Sequence, residues 1–511
     1  MNQASTKGTG LTGRAALLAV ANSLAFVMAF TLPLVLVRTL DQTEFGLYKQ
    51  AFQIVATSLS LLGLHVTTTA FYFMPRHPDK KPQIVLNVLV FYVAVGAVLA
   101  LVFAIHPQWV TLIFKSDDLA PHLPLLGLAI LLWLVSSFLE IVTVADGHIR
   151  AATAFIVLVQ LSKSSLLIGA GLAFGTIRAL LVAAAIQGGL QCAILFLYLY
   201  RRFGVYWKSF DGRLFKAQLA NALPFGFGGL VVSLQLDLNK YFVSYYFDPA
   251  DFAIYSVGCF QIPLMMVLVD SVTSVLIPEV ARLELEGNYP KIIVLWTAVM
   301  RKLALFFVPT IVALFVLRHE FIMALFTKDY AGAAPIFAIN LIAFLLTITV
   351  TGPVMRAFEE FKFYRLKLYL CLIPVTCGAL YVSIHAAGLV GAIAADVSIQ
   401  LLAIAITMVV IARKLRMTIG DLKLLAPVLR TVAAAVVAGL VAFAVRLPLA
   451  DARPLVSLAI CSAVFGAVYL VMAVVCGAVT GEEKDELRRL AEKFNRFRSQ
   501  RMPIVSPTEI Q

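Results

Sequence analysis

Hydrophobic residues run along this chain in long, continuous stretches separated by short turns that carry charged residues, proline or glycine. About 20 helical residues cross the roughly 30 Å of a bilayer's hydrocarbon core. Only helices and closed barrels satisfy their own backbone polar groups in lipid, and barrel strands would alternate apolar and polar residues over about ten positions. The pattern therefore predicts an all-α polytopic membrane protein with about fourteen transmembrane helices. Their predicted centres lie near Phe26, Ser60, Ala94, Leu132, Ser164, Gln187, Val231, Leu264, Phe307, Ala343, Cys377, Ala403, Gly439 and Phe465.

Composition excludes a water-soluble fold, because 61% of the 511 residues are hydrophobic and only 14% are charged. The six cysteines all lie in apolar runs without metal-ligand spacing, so we interpret them as small hydrophobic residues. The apolar run from about Ala15 to Val37 follows a polar leader and is too long for a signal-peptide core. We expect a retained first membrane helix, with no metal and no cofactor.

The distribution of positive charge predicts the orientation of the chain. With a cytoplasmic amino terminus, most Lys and Arg residues fall in inner loops and tails, as the positive-inside rule requires. An even number of spans also places the carboxyl terminus in the cytoplasm. This asymmetry accounts for the net charge of +13 without nucleic acid. The outer loops would hold about eight basic residues, namely Arg38, Lys49, Lys115, Arg178, Arg318, Lys328, Arg446 and Arg453.

Two stretches with the same helix-start chemistry indicate an internal repeat. Residues 41–48 read DQTEFGLY and residues 248–255 read DPADFAIY, an offset of 207. Asp41 and Asp248 suit the N-cap, and Pro249 suits the first helical position. Two further pairs, 150–151 with 356–357 and 114–116 with 326–328, recur at nearly the same offset. Convergent loop chemistry is the alternative to duplication.

The repeat predicts two pseudo-symmetric six-helix lobes followed by two appended helices. The expected organisation is a leader at 1–14, an N-lobe at 15–202 with spans one to six, a linker at 203–217, a C-lobe at 218–412 with spans seven to twelve, a second linker at 413–426, spans thirteen and fourteen at 427–478, and a cytoplasmic tail at 479–511. The tail carries Leu487, Leu490 and Phe494 at helical spacing among basic residues. It would lie on the anionic inner leaflet, stay solvated, or dock a partner.

The layout and three short motifs resemble a known family of transporters. The motifs are Arg38-Thr39-Leu40 followed by EFGLY at 44–48, Asp237-x-x-Lys240, and DFAIY at 251–255. They are similar to the polysaccharide transporter family, the Wzx-type oligosaccharide or O-antigen flippases. That family belongs to the multidrug/oligosaccharidyl-lipid/polysaccharide exporter superfamily, together with multidrug antiporters and the lipid II flippase.

The resemblance implies a bacterial inner-membrane protein that turns an undecaprenyl-pyrophosphate-linked oligosaccharide from the cytoplasmic to the periplasmic leaflet. Such a protein serves the synthesis of exopolysaccharide, capsule or the O-antigen of lipopolysaccharide. By resemblance to the lipid II flippase, spans thirteen and fourteen would line a groove for the prenyl chain.

Ionisable residues inside the spans are the strongest functional candidates, because each costs roughly 2.5–3.5 kcal/mol at a helix centre unless it faces protein or water. Lys163 lies near the middle of the fifth span, with Gln160 one turn before it. Gln187 and Gln191 form a polar i, i+4 face on the sixth span. We expect these residues to line a cavity for pyrophosphate and glycan. A purely structural hydrogen bond is the alternative for Lys163.

The seventh span and the first hairpin add further cavity candidates. Asp237 and Lys240 share a helix face, so they either neutralise each other or contact substrate. Arg38 and Lys49 flank the outer turn of the first hairpin, where ordinary interfacial anchoring is the alternative.

Three other ionisable residues join Asp237 as candidates for ion coupling or gating, namely Glu140, Asp270 and His65. His65 is included because histidine is the side chain whose ordinary charge change falls near neutral pH. Helix capping, gate salt bridges or packing are the alternatives for all three.

The sequence lacks a Walker A loop, a His-Glu-x-x-His helix and a Gly-x-Ser-x-Gly elbow. We therefore expect a transporter rather than an enzyme. The expected partners are a lipid-linked oligosaccharide, the bilayer, a polysaccharide polymerase or co-polymerase, and a coupling H+ or Na+. A cation-coupled multidrug antiporter and a non-transporting scaffold of a glycan assembly complex are the alternative functions.

Overall fold

The computed structural model describes residues 8–114, 117–449 and 452–478 of the chain. Its described elements are α-helices and short 3-10 helices, which confirms the predicted all-α class. Lys115 and the predicted amphipathic tail lie outside the described residues. The helices are α1 (Gly8–Thr39), α2 (Gln42–Gly63), α3 (Thr69–Arg76), α4 (Lys81–Ile105), α5 (Gln108–Phe114), α6 (Leu123–Ser136), α7 (Phe138–Ala145), α8 (Ile149–Phe174), α9 (Ile177–Phe203), α10 (Gly212–Tyr246), α11 (Pro249–Gly258), α12 (Pro263–Leu285), α13 (Tyr289–Val316), α14 (Arg318–Phe326), α15 (Ala334–Thr347), α16 (Thr351–Ala357), α17 (Tyr364–Leu415), α18 (Ala426–Arg446) and α19 (Pro454–Val475).

Twelve helical segments of the described chain are long and apolar enough to cross a membrane. The predicted second span is absent from those twelve and corresponds to α2 and α3, which are separated by a break at residues 64–68. The predicted eleventh and twelfth spans both lie in α17, where Ala387 and Gly388 leave the helical conformation. Gly388 has a φ of 57°, a left-handed value that glycine adopts without strain. The predicted count of about fourteen is therefore an approximate description of these segments.

The two repeated stretches begin helices in the way the sequence predicts. The Asp41 carboxylate accepts a 2.8 Å hydrogen bond from the Glu44 amide, and the Asp248 carboxylate accepts one of the same length from the Asp251 amide. Pro249 is the first residue of α11. Each cap satisfies an otherwise unpaired N–H at the start of its helix. The interpretation of both stretches as helix starts is therefore confirmed.

The order of elements also recurs along the chain. The short α5 is followed by a 3-10 helix (Asp117–His122), by α6 and, after an interruption, by α7. The short α14 is followed by a 3-10 helix (Lys328–Ala333), by α15 and, after an interruption, by α16. The pair at 150–151 and 356–357 matches less well, because Arg150 lies in the first turn of α8 and Arg356 in the last turn of α16.

Contacts between Cα atoms group the chain into two compact units. The first contains Met1–Val267, Ile322–Asn340 and Glu359–Ala405, and the second contains Leu268–Phe321, Leu341–Phe358 and Ile406–Gln511. The first unit includes the whole predicted N-lobe together with parts of the predicted C-lobe. The predicted lobe boundaries stay a prediction.

In the first unit, a buried carboxylate joins four helix ends. The Asp146 side chain follows α7, is fully shielded from solvent and lies 2.7 Å from the Lys81 ammonium and 3.1 Å from His148 Nδ1. Arg202 at the end of α9 also donates to it. Burial alone would raise the pKa of the Asp146 carboxyl, but the hydrogen bonds from Arg202 and Lys81 outweigh burial and lower the pKa below its ordinary value. This cluster fixes the ends of α4, α7, α8 and α9.

In the second unit, the predicted appended helices α18 and α19 pack on α13. Gly439 of α18 allows close approach, because a Cβ there would lie 2.8 Å from Val312. The Tyr469 hydroxyl of α19 donates a 2.9 Å hydrogen bond to a carbonyl of α13. Arg446 forms an ion pair with the buried Glu320 at the start of α14. Shape, hydrogen bonding and charge therefore all hold the pair in place.

Candidate functional site

Lys163 lies on α8, with its ammonium over the face of an indole ring. Its Nζ is 4.0 Å from the ring centroid of Trp133 on α6. Trp133 is held by α9, since its Nε1 donates to the Ala184 carbonyl at 3.0 Å and a Cβ on Gly188 would lie 2.8 Å from the ring. A cation over a ring face gains about 2 kcal/mol when the contact is desolvated. No carboxylate of the described residues is within ion-pair distance of Lys163, so its positive charge is supported without being neutralised.

Gln160 lies close to Lys163 along α8 but is directed to a different neighbour. Its side-chain amide donates to the Ser164 hydroxyl at 3.2 Å, and that hydroxyl lies 3.5 Å from the Met28 carbonyl of α1. Lys163 contacts α6 instead. The two residues, which the sequence placed on one face, therefore contact different neighbours, and their joint use by a substrate stays a prediction.

The polar face predicted on the sixth span is present on α9. The Gln187 amide donates to Gln191 Oε1 at 3.2 Å, and the Gln191 amide donates to the Ser136 carbonyl at 3.2 Å. Ser136 is the last residue of α6, directly before the interruption at Ser137. A helix end leaves carbonyls unpaired, so Gln191 satisfies one of them. The use of these glutamines by a substrate stays a prediction.

Lys49 of α2 is also held by aromatic rings. Its Nζ lies 5.3 Å from the ring centroid of Phe45 and 5.8 Å from that of Tyr48. Ring contacts continue from Tyr48 to Phe52, with centroids 4.6 Å apart, and from Phe52 to Trp133 at 5.7 Å. A chain of three rings, Tyr48, Phe52 and Trp133, therefore connects Lys49 with Lys163, two of the three lysines that the sequence predicted for the cavity.

Arg38 makes contacts that fit a structural role. Its guanidinium donates to the Ala324 carbonyl at 3.0 Å and to the Leu34 carbonyl of its own helix. Ala324 lies in the last turn of α14, where a cation is favourable to the helix dipole. Arg38 thus connects α1 to α14, and its part in substrate binding stays a prediction.

Asp237 and Lys240 pair with each other on α10. The Lys240 ammonium donates to Asp237 Oδ1 at 2.7 Å, one helical turn away. The charges of Lys240 and Lys49 also interact. Of the two alternatives that the sequence left open, mutual neutralisation is the one present in the structure.

Asp396 was missed in the sequence analysis. It lies on the second half of α17, is only 7% exposed, and accepts a 2.9 Å hydrogen bond from the Gln400 amide. Its charge interacts with those of Asp237 and Lys240. The criterion that selected Lys163, an ionisable residue in the middle of an apolar span, would have selected Asp396 as well.

The remaining coupling candidates are His65, Glu140 and Asp270. His65 has a φ of 57° in the break between α2 and α3, and a Cβ on Gly229 of α10 would lie 2.9 Å from its ring. Glu140 is exposed in the first turn of α7, and Asp270 is exposed on α12 in the second unit. No group of three potential metal ligands occurs among the described residues. Roles for these three residues in coupling stay predictions.

Helix α2 lies antiparallel along α10, joined by small polar groups. The Gln50 amide donates to the Ser244 hydroxyl at 2.9 Å, and the Ser60 hydroxyl donates to the Ser233 hydroxyl at 3.3 Å. Farther along, Gly226 accommodates the break after α2, since a Cβ there would lie 2.5 Å from the Leu64 carbonyl oxygen. The contact between these predicted second and seventh spans therefore extends from Gln50 to the break that follows α2.

Comparison with known proteins identifies the family. The model of a family described as polysaccharide biosynthesis protein matches residues 12–284, more than half of the chain. The chain belongs to the polysaccharide biosynthesis protein family. This membership confirms the resemblance to polysaccharide transporters noted in the sequence. A search of curated protein sequences gives no match.

Solved structures place this family member in a known membrane fold. It is similar to the lipid II flippase MurJ in an inward closed conformation, with a TM-score of 0.69 at 13% identity over 90% of this chain and 98% of that one. An inward-facing MATE-family multidrug resistance transporter of the MOP superfamily has a TM-score of 0.53 at 16% identity over 78% and 94% of the two chains. A MOP superfamily transporter from Pyrococcus furiosus has 0.53 at 15% identity over 81% and 99%. At these identities the comparison establishes the shared fold.

Proposed function

We propose that this protein is a flippase that moves undecaprenyl-pyrophosphate-linked oligosaccharide units from the cytoplasmic to the periplasmic leaflet of a bacterial inner membrane. Membership of the polysaccharide biosynthesis family supports a glycan substrate. Similarity to a protein named as a lipid II flippase supports a lipid-linked one. Both termini would be cytoplasmic, as the distribution of Lys and Arg predicts.

The observation that carries the proposal is the support of Lys163 by Trp133 rather than by a carboxylate. A pyrophosphate that leaves bulk water needs cationic partners, because an unpaired anion at membrane depth is strongly disfavoured. A lysine neutralised by a carboxylate would offer little attraction. Lys163 and Lys49 both contact aromatic faces, and no carboxylate of the described residues forms an ion pair with either, so neither ammonium is already paired with an anion.

The mechanism that follows is alternating access. The predicted lobes rock about a cavity that opens first to the cytoplasm and then to the periplasm, while the prenyl chain stays in the bilayer. Lys163 and Lys49 bind the pyrophosphate, and Gln160, Gln187 and Gln191 exchange hydrogen bonds with sugar hydroxyls. The appended pair α18 and α19 guides the prenyl chain, and a polymerase or co-polymerase receives the product. The protein makes and breaks no covalent bond in this scheme.

Lys163→Met tests the proposal, because methionine keeps much of the side-chain volume and removes the charge. Losing one charged contact costs about 1.5–3 kcal/mol, so flipping should fall roughly 10-fold to 150-fold. Lys163→Arg should retain part of the activity. The assay measures a fluorescent undecaprenyl-pyrophosphate glycan crossing proteoliposome membranes, together with surface polysaccharide in cells.

The matched control is Lys208→Met, which removes an exposed lysine outside the membrane segments. It should behave like the wild type. Wild-type flipping by a stably inserted Lys163→Met variant would refute the proposed role of the charge. Wild-type surface polysaccharide after loss of both Lys163 and Lys49 would instead support a scaffold.

A further inference from the structure

The carboxylates of Asp237 on α10 and Asp396 on α17 both interact with the ammonium of Lys240, but only Asp237 is hydrogen-bonded to it. Asp237 accepts a 2.7 Å hydrogen bond from the Lys240 ammonium and forms an ion pair with it. Asp396 is the more buried of the two carboxylates, but it accepts a hydrogen bond only from the neutral side-chain amide of Gln400, at 2.9 Å. Its charge interacts with Lys240 across a longer distance.

The other titratable groups near Asp396 do not supply a second cation. From α11, Tyr255 and Cys259 interact with it electrostatically, and both are neutral at physiological pH. From α10 come Asp237 and Lys240 themselves. Lys49 of α2 interacts with Lys240 but is held by the rings of Phe45 and Tyr48.

A carboxylate buried in an apolar helix needs a cation in contact with it or has to bind a proton, because burial without a partner disfavours the charged form. Asp237 has the cation. Asp396 has a hydrogen-bond donor that suits either protonation state and no cation in contact among the described residues. The favourable state of this arrangement is therefore an ionised Asp237 beside a neutral Asp396.

We propose that Asp396 is a proton-binding site, and that its proton controls which of the two carboxylates holds Lys240. With Asp396 protonated, Lys240 bonds Asp237. When the Asp396 O–H bond breaks and the proton passes to water, the new carboxylate attracts Lys240 away from Asp237. Both carboxylates and the lysine lie in the first unit, on α10 and α17. That this exchange couples proton movement to flipping rests on the proposed function, whereas the binding of the proton does not.

Infrared spectroscopy of the full-length protein in lipid nanodiscs tests proton binding directly. A protonated carboxylic acid has a carbonyl stretching band that a carboxylate lacks. The spectrum of the wild type minus that of Asp396→Asn should contain this band near neutral pH and lose it as the pH rises. No such band at any point between about pH 5 and about pH 9 would overturn the proposal.

Two variants test whether Lys240 affects proton binding by Asp396 or whether Asp396 binds its proton only because it is buried. Lys240→Met removes the competing cation, so the band should persist to a pH higher by about one unit or more, a tenfold change in proton affinity. Asp237→Asn releases Lys240 to Asp396, so the band should disappear at a pH lower by a similar amount. Equal midpoints in both variants would contradict the sharing of Lys240.

Transport measurements distinguish failure of this inference from failure of the proposed function. Lys163→Met should keep the Asp396 band while flipping is lost. Asp396→Asn should reduce the response of flipping to a pH gradient across proteoliposomes by at least tenfold. A normal Asp396 band in the wild type, together with an unchanged gradient response in Asp396→Asn, would leave the proton site in place and refute its part in coupling.

Discussion

The contact between the starts of α2 and α11 allows a sharp test of packing. Gly46 lies in the first turns of α2, and a Cβ built on it would be 1.7 Å from the carbonyl oxygen and 2.4 Å from the carbonyl carbon of Pro249. Both atoms belong to the backbone, so no side-chain rotation can make room. Gly46→Ala must therefore push the two helix starts apart by well over about 1 Å, in a region as closely packed as protein interiors are.

The cost of that displacement follows from two opposing effects. Overpacking a close contact typically destabilises a protein by about 1–3 kcal/mol, and a backbone obstacle places Gly46→Ala at the upper end. Alanine in place of a helical glycine returns up to about 1 kcal/mol of helix propensity. We expect a net loss of about 2 kcal/mol, or a fall of roughly 4–8 °C in the midpoint of thermal unfolding on the scale of mid-sized domains.

The assay is thermal unfolding of the purified protein in detergent, followed by the fraction that remains monodisperse. Gly169→Ala is the matched control, because a Cβ at this helical glycine of α8 meets no atom within 4 Å. It should be neutral or slightly stabilising. Equal midpoints for Gly46→Ala and Gly169→Ala would refute the argument that close approach to Pro249 requires glycine.

Three further perturbations test other contacts. Asp146→Asn should lower the free energy of unfolding by about 1–2 kcal/mol at neutral pH, since the cations around Asp146 are partly exposed. The folded-state pKa of Asp146 is lowered, so its contribution to stability is present above the ordinary aspartate pKa and is lost as the pH falls through the folded-state pKa. Unfolding measured at decreasing pH should therefore give converging stabilities for the wild type and the variant. Ser60→Cys combined with Ser233→Cys should form a disulfide on oxidation and stop flipping until a reductant is added, whereas each single variant should stay active; full activity of the cross-linked protein would show that α2 and α10 need not separate. Glu320→Ala should destabilise the protein by about 3 kcal/mol in thermal unfolding, because Arg446 loses its buried partner, and the further change Arg446→Met should recover most of that loss.

Local chemistry made much of the fold predictable. The long apolar runs predict helices whatever their neighbours are, and the caps at Asp41 and Asp248 act within a few residues of themselves. Asp237 and Lys240 are one turn apart, so their pairing was among the outcomes that spacing alone allows. These features depend on contacts along a single helix.

Contacts between helices were not predictable from one sequence. Nothing in the spacing connects Lys163 of α8 with Trp133 of α6, whose ring is fixed beneath the ammonium by contacts with Ala184 and Gly188 of α9. The break at residues 64–68 also depends on tertiary packing, since the flanking sequence remains apolar. Asp396 differs from these cases, because the criterion of a charge in an apolar span would have identified it from the sequence.

The hydrogen bonds between α2 and α10 affect how easily these two helices can separate. Each pair joins two neutral groups, and a neutral hydrogen bond exchanged for one to water changes the free energy by only about 1 kcal/mol. Parting them leaves no stranded ion behind, unlike the rupture of a buried salt bridge. Neutral hydrogen bonds of this kind fix the register of two helices while the helices are in contact. Water that enters from either face of the membrane can replace these hydrogen bonds one at a time.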